Sequence, residues 1–90
     1  MEKVLKVGLY KTKKKKRKDR KWLMVIFDIP EKKRKMRDFF REQIQILGFK
    51  ELQKSVWVCP YDVLKEIQFL IQKFSLFRYI KIFLIEEQEI

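Results

Sequence analysis

The stretch Trp22–Pro30, WLMVIFDIP, is an almost unbroken apolar run that stops at a proline. A run of this length, rich in Val, Ile, Phe and Trp, reads as a central strand covered on both faces. Pro30 ends the strand and suits the opening of a helix, and Glu31 then sits favourably in a first helical turn. A strand buried on both sides needs covering layers, and the rest of the chain is read for what supplies them.

Glu31–Leu47 carries Met36, Phe39, Phe40, Ile44 and Leu47 at helical spacing, with Arg34, Arg37 and Arg41 on the other side. Gln43 interrupts the apolar stripe, and Gly48 is a good stop for the helix. Phe49–Gln53 and Ser55–Pro60 read as two short strands or one bent strand. Asp62 is placed to cap a second helix running to about Phe74, with Val63, Leu64, Ile67, Leu70, Ile71 and Phe74 inward and Phe69 outward. Arg78–Ile85 reads as a last strand, followed by an acidic tail. The order strand, helix, strand, strand, helix, strand predicts the α+β class. The architecture expected is a ferredoxin-like βαββαβ sandwich, an antiparallel sheet with two helices on one face. The other face needs its own cover, and the same face of a second copy is one solution. The 69 residues from Trp22 to Ile90 form a small core, which also favours a homodimer through the sheet.

Charge divides the chain. Residues 1–21 hold eleven Lys and Arg against Glu2 and Asp19, a net +9 of the total +11. Residues 22–90 are nearly balanced. The expected organisation is a basic flexible arm, 1–21, in front of a folded domain, 22–90, with Lys11–Lys21 disordered when free. Such a segment attracts polyanions through counterion release. It lacks the amphipathic apolar face that membrane insertion needs. No histidine is present, so His-based acid–base chemistry, Ser/Cys–His triads and the usual His metal sites are excluded. Cys59 stands alone, which leaves no intramolecular disulfide or thiolate zinc cluster and suits a reducing cytoplasm. No apolar run approaches the length of a membrane span, and the basic start lacks the apolar stretch of a signal peptide.

The stretch WLMVIFDIPEKKRKMRDFFREQIQILGFKELQKSVWVCPYD resembles the CRISPR-associated Cas-two family. It is most similar to the variant that forms the central domain of PaaX-type transcriptional repressors. The resemblance rests on VIFDIP ending in Asp28, the basic helix after it, Gly48-Phe49, and Leu52-Gln53-Lys54-Ser55-Val56-Trp57, and it covers about Trp22–Ile85. It implies a ferredoxin-like dimer. Cas-two proteins bridge dimers of the Cas-one integrase and hold the DNA to be inserted, and some act as metal-dependent nucleases. PaaX-type proteins carry a winged-helix domain before this module and another after it. Cas-two proteins usually continue past the fourth strand with a docking segment, where this chain has only Glu86–Ile90.

By that resemblance Asp28 is the catalytic candidate, one of a pair facing across a dimer axis and holding Mg²⁺ that activates water. The alternative is that Asp28 braces the strand-to-helix turn. Ser55 and Gln53 resemble positions near that site, but are read first as ordinary strand and turn hydrogen-bonding residues. Candidate phosphate contacts are Lys13, Lys14, Lys15, Lys16, Arg17, Lys18 and Arg20 in the arm, with Lys32, Lys33, Lys35, Arg34, Arg37 and Arg41 on the first helix. The competing reading of the helix is a solvated face with an Arg34–Asp38 pair. Trp57, Phe69 and Phe77 are read as packing or interface residues before base platforms, and Cys59 as a small core residue.

The leading expectation is a Cas-two-like dimer that holds double-stranded DNA through its backbone, a scaffold in CRISPR spacer acquisition with Cas-one as partner. RNA is a further candidate ligand. The alternative is a PaaX-like regulator module in which this domain dimerises. A third reading is a Mg²⁺-dependent nuclease or toxin-like RNase.

Overall fold

The apolar run after Lys21 forms strand β1, Trp22–Phe27, whose residues alternate between half-buried and buried. The computed structural model describes residues 15–88. Lys13, Lys14 and the apolar Val4–Tyr10 lie outside the described residues. After β1, a 3₁₀ turn, Glu31–Lys33, leads into helix α1, Arg34–Leu47. Two short strands follow, β2, Lys50–Gln53, and β3, Val56–Cys59. Helix α2, Leu64–Lys73, and strand β4, Ile80–Ile85, complete the order.

The four strands form one antiparallel sheet in the order β2-β3-β1-β4, with β1 paired to β3 on one side and to β4 on the other. This is the ferredoxin-like arrangement expected from the element order. Leu23, Val25 and Phe27 of β1, Trp57 and Cys59 of β3, and Ile80 of β4 form one buried cluster with Phe40, Ile44 and Leu47 of α1 and Ile67 and Leu70 of α2. Burying each large aliphatic or aromatic side chain here contributes roughly 1.5–3 kcal/mol. Phe27 meets Phe40 edge-on at 5.0 Å and stacks on Trp57 at 6.2 Å, so Trp57 is a packing residue.

The other face of the sheet has a different character. The register sets Trp22 beside Ile85, Met24 between Val58 and Phe83, and Ile26 between Val56 and Lys81. No described helix lies over this face, and Phe83 is 43% exposed. Among the described residues, the expectation of a β1 covered on both faces is met by helices on one side only, although Val58 on the other face is buried.

Local chemistry explains the element ends. Gly48 closes α1 with φ +110, its N–H donating to Gln45, while Phe49 N–H reaches back to Ile44. Ser55, in the tight β2–β3 turn, also holds a positive φ of 70°, and its carbonyl accepts the Phe27 N–H at 3.1 Å. Asp62 does not cap α2: the N-cap is Val63, without a side-chain bond, and the Asp62 carboxylate turns to Arg17 instead. Gln43, the blemish in the α1 stripe, is half-buried with its Oε1 unpartnered.

Candidate nucleic-acid interface

The cations on α1 fall into two groups. Arg34 and Arg37 both reach Glu31, at 3.1 and 3.0 Å, and Arg37 and Arg41 approach Asp38 at 3.7 and 3.5 Å. The Arg34–Asp38 pair expected from sequence is absent. Asp38 instead serves Arg41, one turn on, while Glu31 in the preceding 3₁₀ turn takes Arg34 three residues away. These arginines are thus held locally, partly neutralised by two acids. Lys32, Lys33 and Lys35 are exposed. They are the cations of this surface left without a carboxylate partner among the described residues.

Asp28 is exposed just past the end of β1. The backbone there is fixed from both sides, since Phe27 N–H donates to Ser55 and Asp28 N–H to Tyr79. A cavity of about 120 Å³ opens beside it, lined also by Arg37, Arg41, Glu51, Lys54 and Ser55. Gln53 is not among its lining residues. A hard dication needs oxygen ligands free of competing positive charge. Three cationic side chains share this cavity with Asp28 and Glu51, so the donor set of one chain does not fit Mg²⁺. Among the described residues no group of three His, Cys, Asp or Glu side chains gathers.

The second basic surface is the end of the arm. Lys15–Lys21 lies against the β3–α2 connection: Asp62 N–H donates to Lys15 at 2.7 Å, Arg17 N–H to Pro60 at 3.3 Å, and Lys16 bridges to Tyr61. Arg17 does not face outward as a phosphate contact. Its guanidinium grips both carboxylate oxygens of Asp19, at 3.1 and 2.8 Å, and touches Asp62 at 3.3 Å. The Lys21 N–H also donates to Asp19 at 3.0 Å. The Arg17 bond first, and the Lys21 amide second, hold the Asp19 carboxyl down to about 2. This clamp shapes a turn in which Arg20 takes a left-handed φ of 62°. Lys15, Lys16, Lys18 and Arg20 remain exposed.

Sequence reasoning missed this clamp and the place of Trp22 next to it. The available signal was Asp19, the single acid within Lys11–Lys21, flanked by Arg17 and Lys21. Of the other candidates, Phe77 is 70% and Phe69 43% exposed, Lys73 lies over the Phe69 ring at 5.9 Å, and Cys59 is buried. No helix among the described residues is long and apolar enough to cross a membrane.

Residues 15–90 match the family described as the PaaX protein central Cas2-like domain. No curated protein and no solved structure matches the chain. The match begins at Lys15, whose carbonyl accepts the Asp62 N–H, and takes in every strand and helix described above. With four antiparallel strands in the order β2-β3-β1-β4 and the family match spanning them all, the chain belongs to the PaaX central Cas2-like domain family.

Proposed function

We propose that the chain is the dimerising, duplex-binding module of a PaaX-type transcriptional regulator. The observation that carries this reading is the family match over residues 15–90. The open sheet face supports the dimer. Met24, Ile26, Val56 and Ile85 are half-buried there and Phe83 is exposed, with Lys50 and Lys81 at the margins. An apolar face of this kind, rimmed by polar residues, is what an interface between two copies requires. Lys32, Lys33 and Lys35 then supply sequence-independent phosphate contacts on each copy, while operator choice falls to a separate DNA-reading element of the regulator.

A second reading is the scaffold of spacer acquisition with Cas-one as partner, which sequence-independent contacts from Lys32, Lys33 and Lys35 would serve equally well. Cleavage through Mg²⁺ finds no support in the charge around Asp28. Sedimentation equilibrium of the wild type and of Phe83→Asp tests the dimer: the wild type is expected at twice the chain mass and the variant at one, with helical circular dichroism unchanged. A wild-type monomer at all concentrations overturns it. Duplex binding is then measured with unrelated sequences over a salt series. Equal affinities favour the scaffold, and preference for one operator in the presence of the flanking regulator domains favours the PaaX reading.

A further inference from the structure

The groove at Trp22 lies at the opposite end of β1 from Asp28. Two cavities, of about 310 and 330 Å³, meet there and share Trp22 and Pro60 in their walls. The first is bordered by Lys16 and Arg20 with the carboxylate Glu87 on its rim, the second by Lys50 and Tyr61. Trp22 is half-buried, so its indole is anchored but reachable. Other cations of the region are occupied: Arg17 by Asp19 and Asp62, and Lys21 by Glu86 at 3.9 Å. Lys16, Arg20 and Lys50 have no ion pair among the described residues. Arg20 is also strained, a non-glycine residue at φ 62°, kept there by the Arg17–Asp19 clamp and by its own N–H donating to Arg17. Strain that surroundings enforce at a reachable charged residue points to binding.

We propose that this groove is a stacking site for an unpaired nucleotide of a nucleic-acid strand. The base lies on Trp22, and Lys16 and Arg20 hold the neighbouring phosphates. A duplex does not offer its base faces, so a reachable indole among free cations fits a single strand. Tyr61 on the far side stands where a second base would follow, with Lys50 beside it. The site goes beyond the duplex contacts proposed for α1 and uses none of their residues. It is independent of the α1 contacts, but Trp22 and Lys50 lie at one end of the sheet face proposed for the dimer, so it requires a dimer that leaves this end of β1 uncovered.

A dye-labelled oligothymidylate of about ten nucleotides, a length one small domain can engage, is titrated into the protein, with anisotropy and tryptophan emission read together. Trp57 is buried against Phe27 but also lines the cavity beside Asp28, so emission is read in a Trp57→Phe background, where Trp22 is the single tryptophan. The expected result is quenching on binding. Trp22→Leu loses about tenfold or more in affinity and Trp22→Phe, which keeps a ring, loses less than about threefold. Lys16→Ala and Arg20→Ala each flatten the salt dependence by about 0.7 in log–log slope. Duplex affinity of Trp22→Leu stays at the wild-type value. Unchanged oligothymidylate binding by folded Trp22→Leu overturns the site, as does displacement by inorganic polyphosphate or an acidic peptide at equal charge concentration. Should Trp22→Leu fail to fold in a melting experiment, the emission of the Trp57→Phe protein decides: binding without quenching overturns the proposal. The ribonucleotide counterpart, oligouridylate, run in parallel, separates RNA from DNA as the source of the strand.

Discussion

The ring of Tyr61 lies so close over Gly48 that a Cβ at position 48 would stand 2.6 Å from its Cδ2. The same glycine holds φ +110, a conformation that side chains disfavour. Two penalties therefore meet at one residue. Gly48→Ala is expected to lower stability by about 2–4 kcal/mol, the sum of backbone strain and overpacking. Urea unfolding measures it. Made in a Tyr61→Ala background, the same substitution is expected to cost only the backbone share, about 1–2 kcal/mol. An equal cost in both backgrounds would show that the ring is free to move aside.

Ser55 offers the opposite case. It holds φ 70 in the β2–β3 turn, and what it contributes to β1 is its backbone carbonyl, which accepts the Phe27 N–H. Ser55→Gly removes the left-handed strain and keeps that bond. The gain is offset in part by the greater freedom of glycine in the unfolded chain. A net stabilisation of about 0.5 kcal/mol is expected, which is a rise of roughly 2–4 °C in Tm for a domain of this size. Ser55→Val, with a branched side chain at positive φ, is expected to lower Tm instead.

The Asp19 carboxyl is held down to about 2, through Arg17 and then the Lys21 amide. A lowered folded-state pKa contributes stability that is fully present above the unfolded value, near 4, and is lost as pH falls through the folded value. The clamped turn is therefore expected to stay intact from neutral pH to about 4 and to loosen between about 4 and 2. Carbon-detected NMR titration of Asp19 reads the midpoint, and the Trp22 indole resonance reads the turn. Asp19→Asn is expected to abolish the acid transition of Trp22 while leaving that of the remaining carboxylates. A midpoint near 4 for Asp19 would mean that the Arg17 grip does not persist in solution.

The division of α1 cations into paired and free predicts unequal effects on duplex binding. Lys32→Ala, Lys33→Ala and Lys35→Ala are each expected to reduce the salt slope by about 1, uniformly across DNA sequences. Arg34→Ala, already satisfied by Glu31, is expected to change it less. Asp28→Asn removes a negative charge from the cavity shared with Arg37, Arg41 and Lys54, so duplex affinity is expected to rise or hold without Mg²⁺. A loss of affinity seen only with Mg²⁺ present would instead favour an ion shared by two copies of Asp28.

Much of the fold was legible along the chain. The run ending at Pro30, the 3.6-residue recurrence of Phe40, Ile44 and Leu47, and the stop at Gly48 are local patterns, and local patterns carry element type. The ends of elements were less legible. The chain tightens to a 3₁₀ turn before α1, and α2 begins at Leu64 without help from Asp62, because Asp62 has a partner 45 residues away in Arg17. The candidate site was legible in composition and not in arrangement. Counting Lys and Arg located the two basic segments, but counting treats every cation as equal.

By itself, then, the sequence determined the order of strands and helices, the side of each helix that is buried, and the basic character of the first 21 residues, since these depend on neighbours within a turn or two. The three-dimensional structure decided which cations remain free, through geometry within a turn or two for most pairs and through the sheet for Arg17–Asp62. Arg17 is withdrawn by Asp19 and Asp62, and Arg34, Arg37 and Arg41 by Glu31 and Asp38. It also decided that Trp22 shares its groove with Pro60, Lys16 and Lys50, residues brought together by the pairing of β1 with β3 and by the docking of Lys15–Arg17. The reason is one of range. Hydrophobic periodicity acts between residues that are close in sequence. The Arg17–Asp62 contact and the shared cavities depend on distances in space, and those exist only once the sheet has closed.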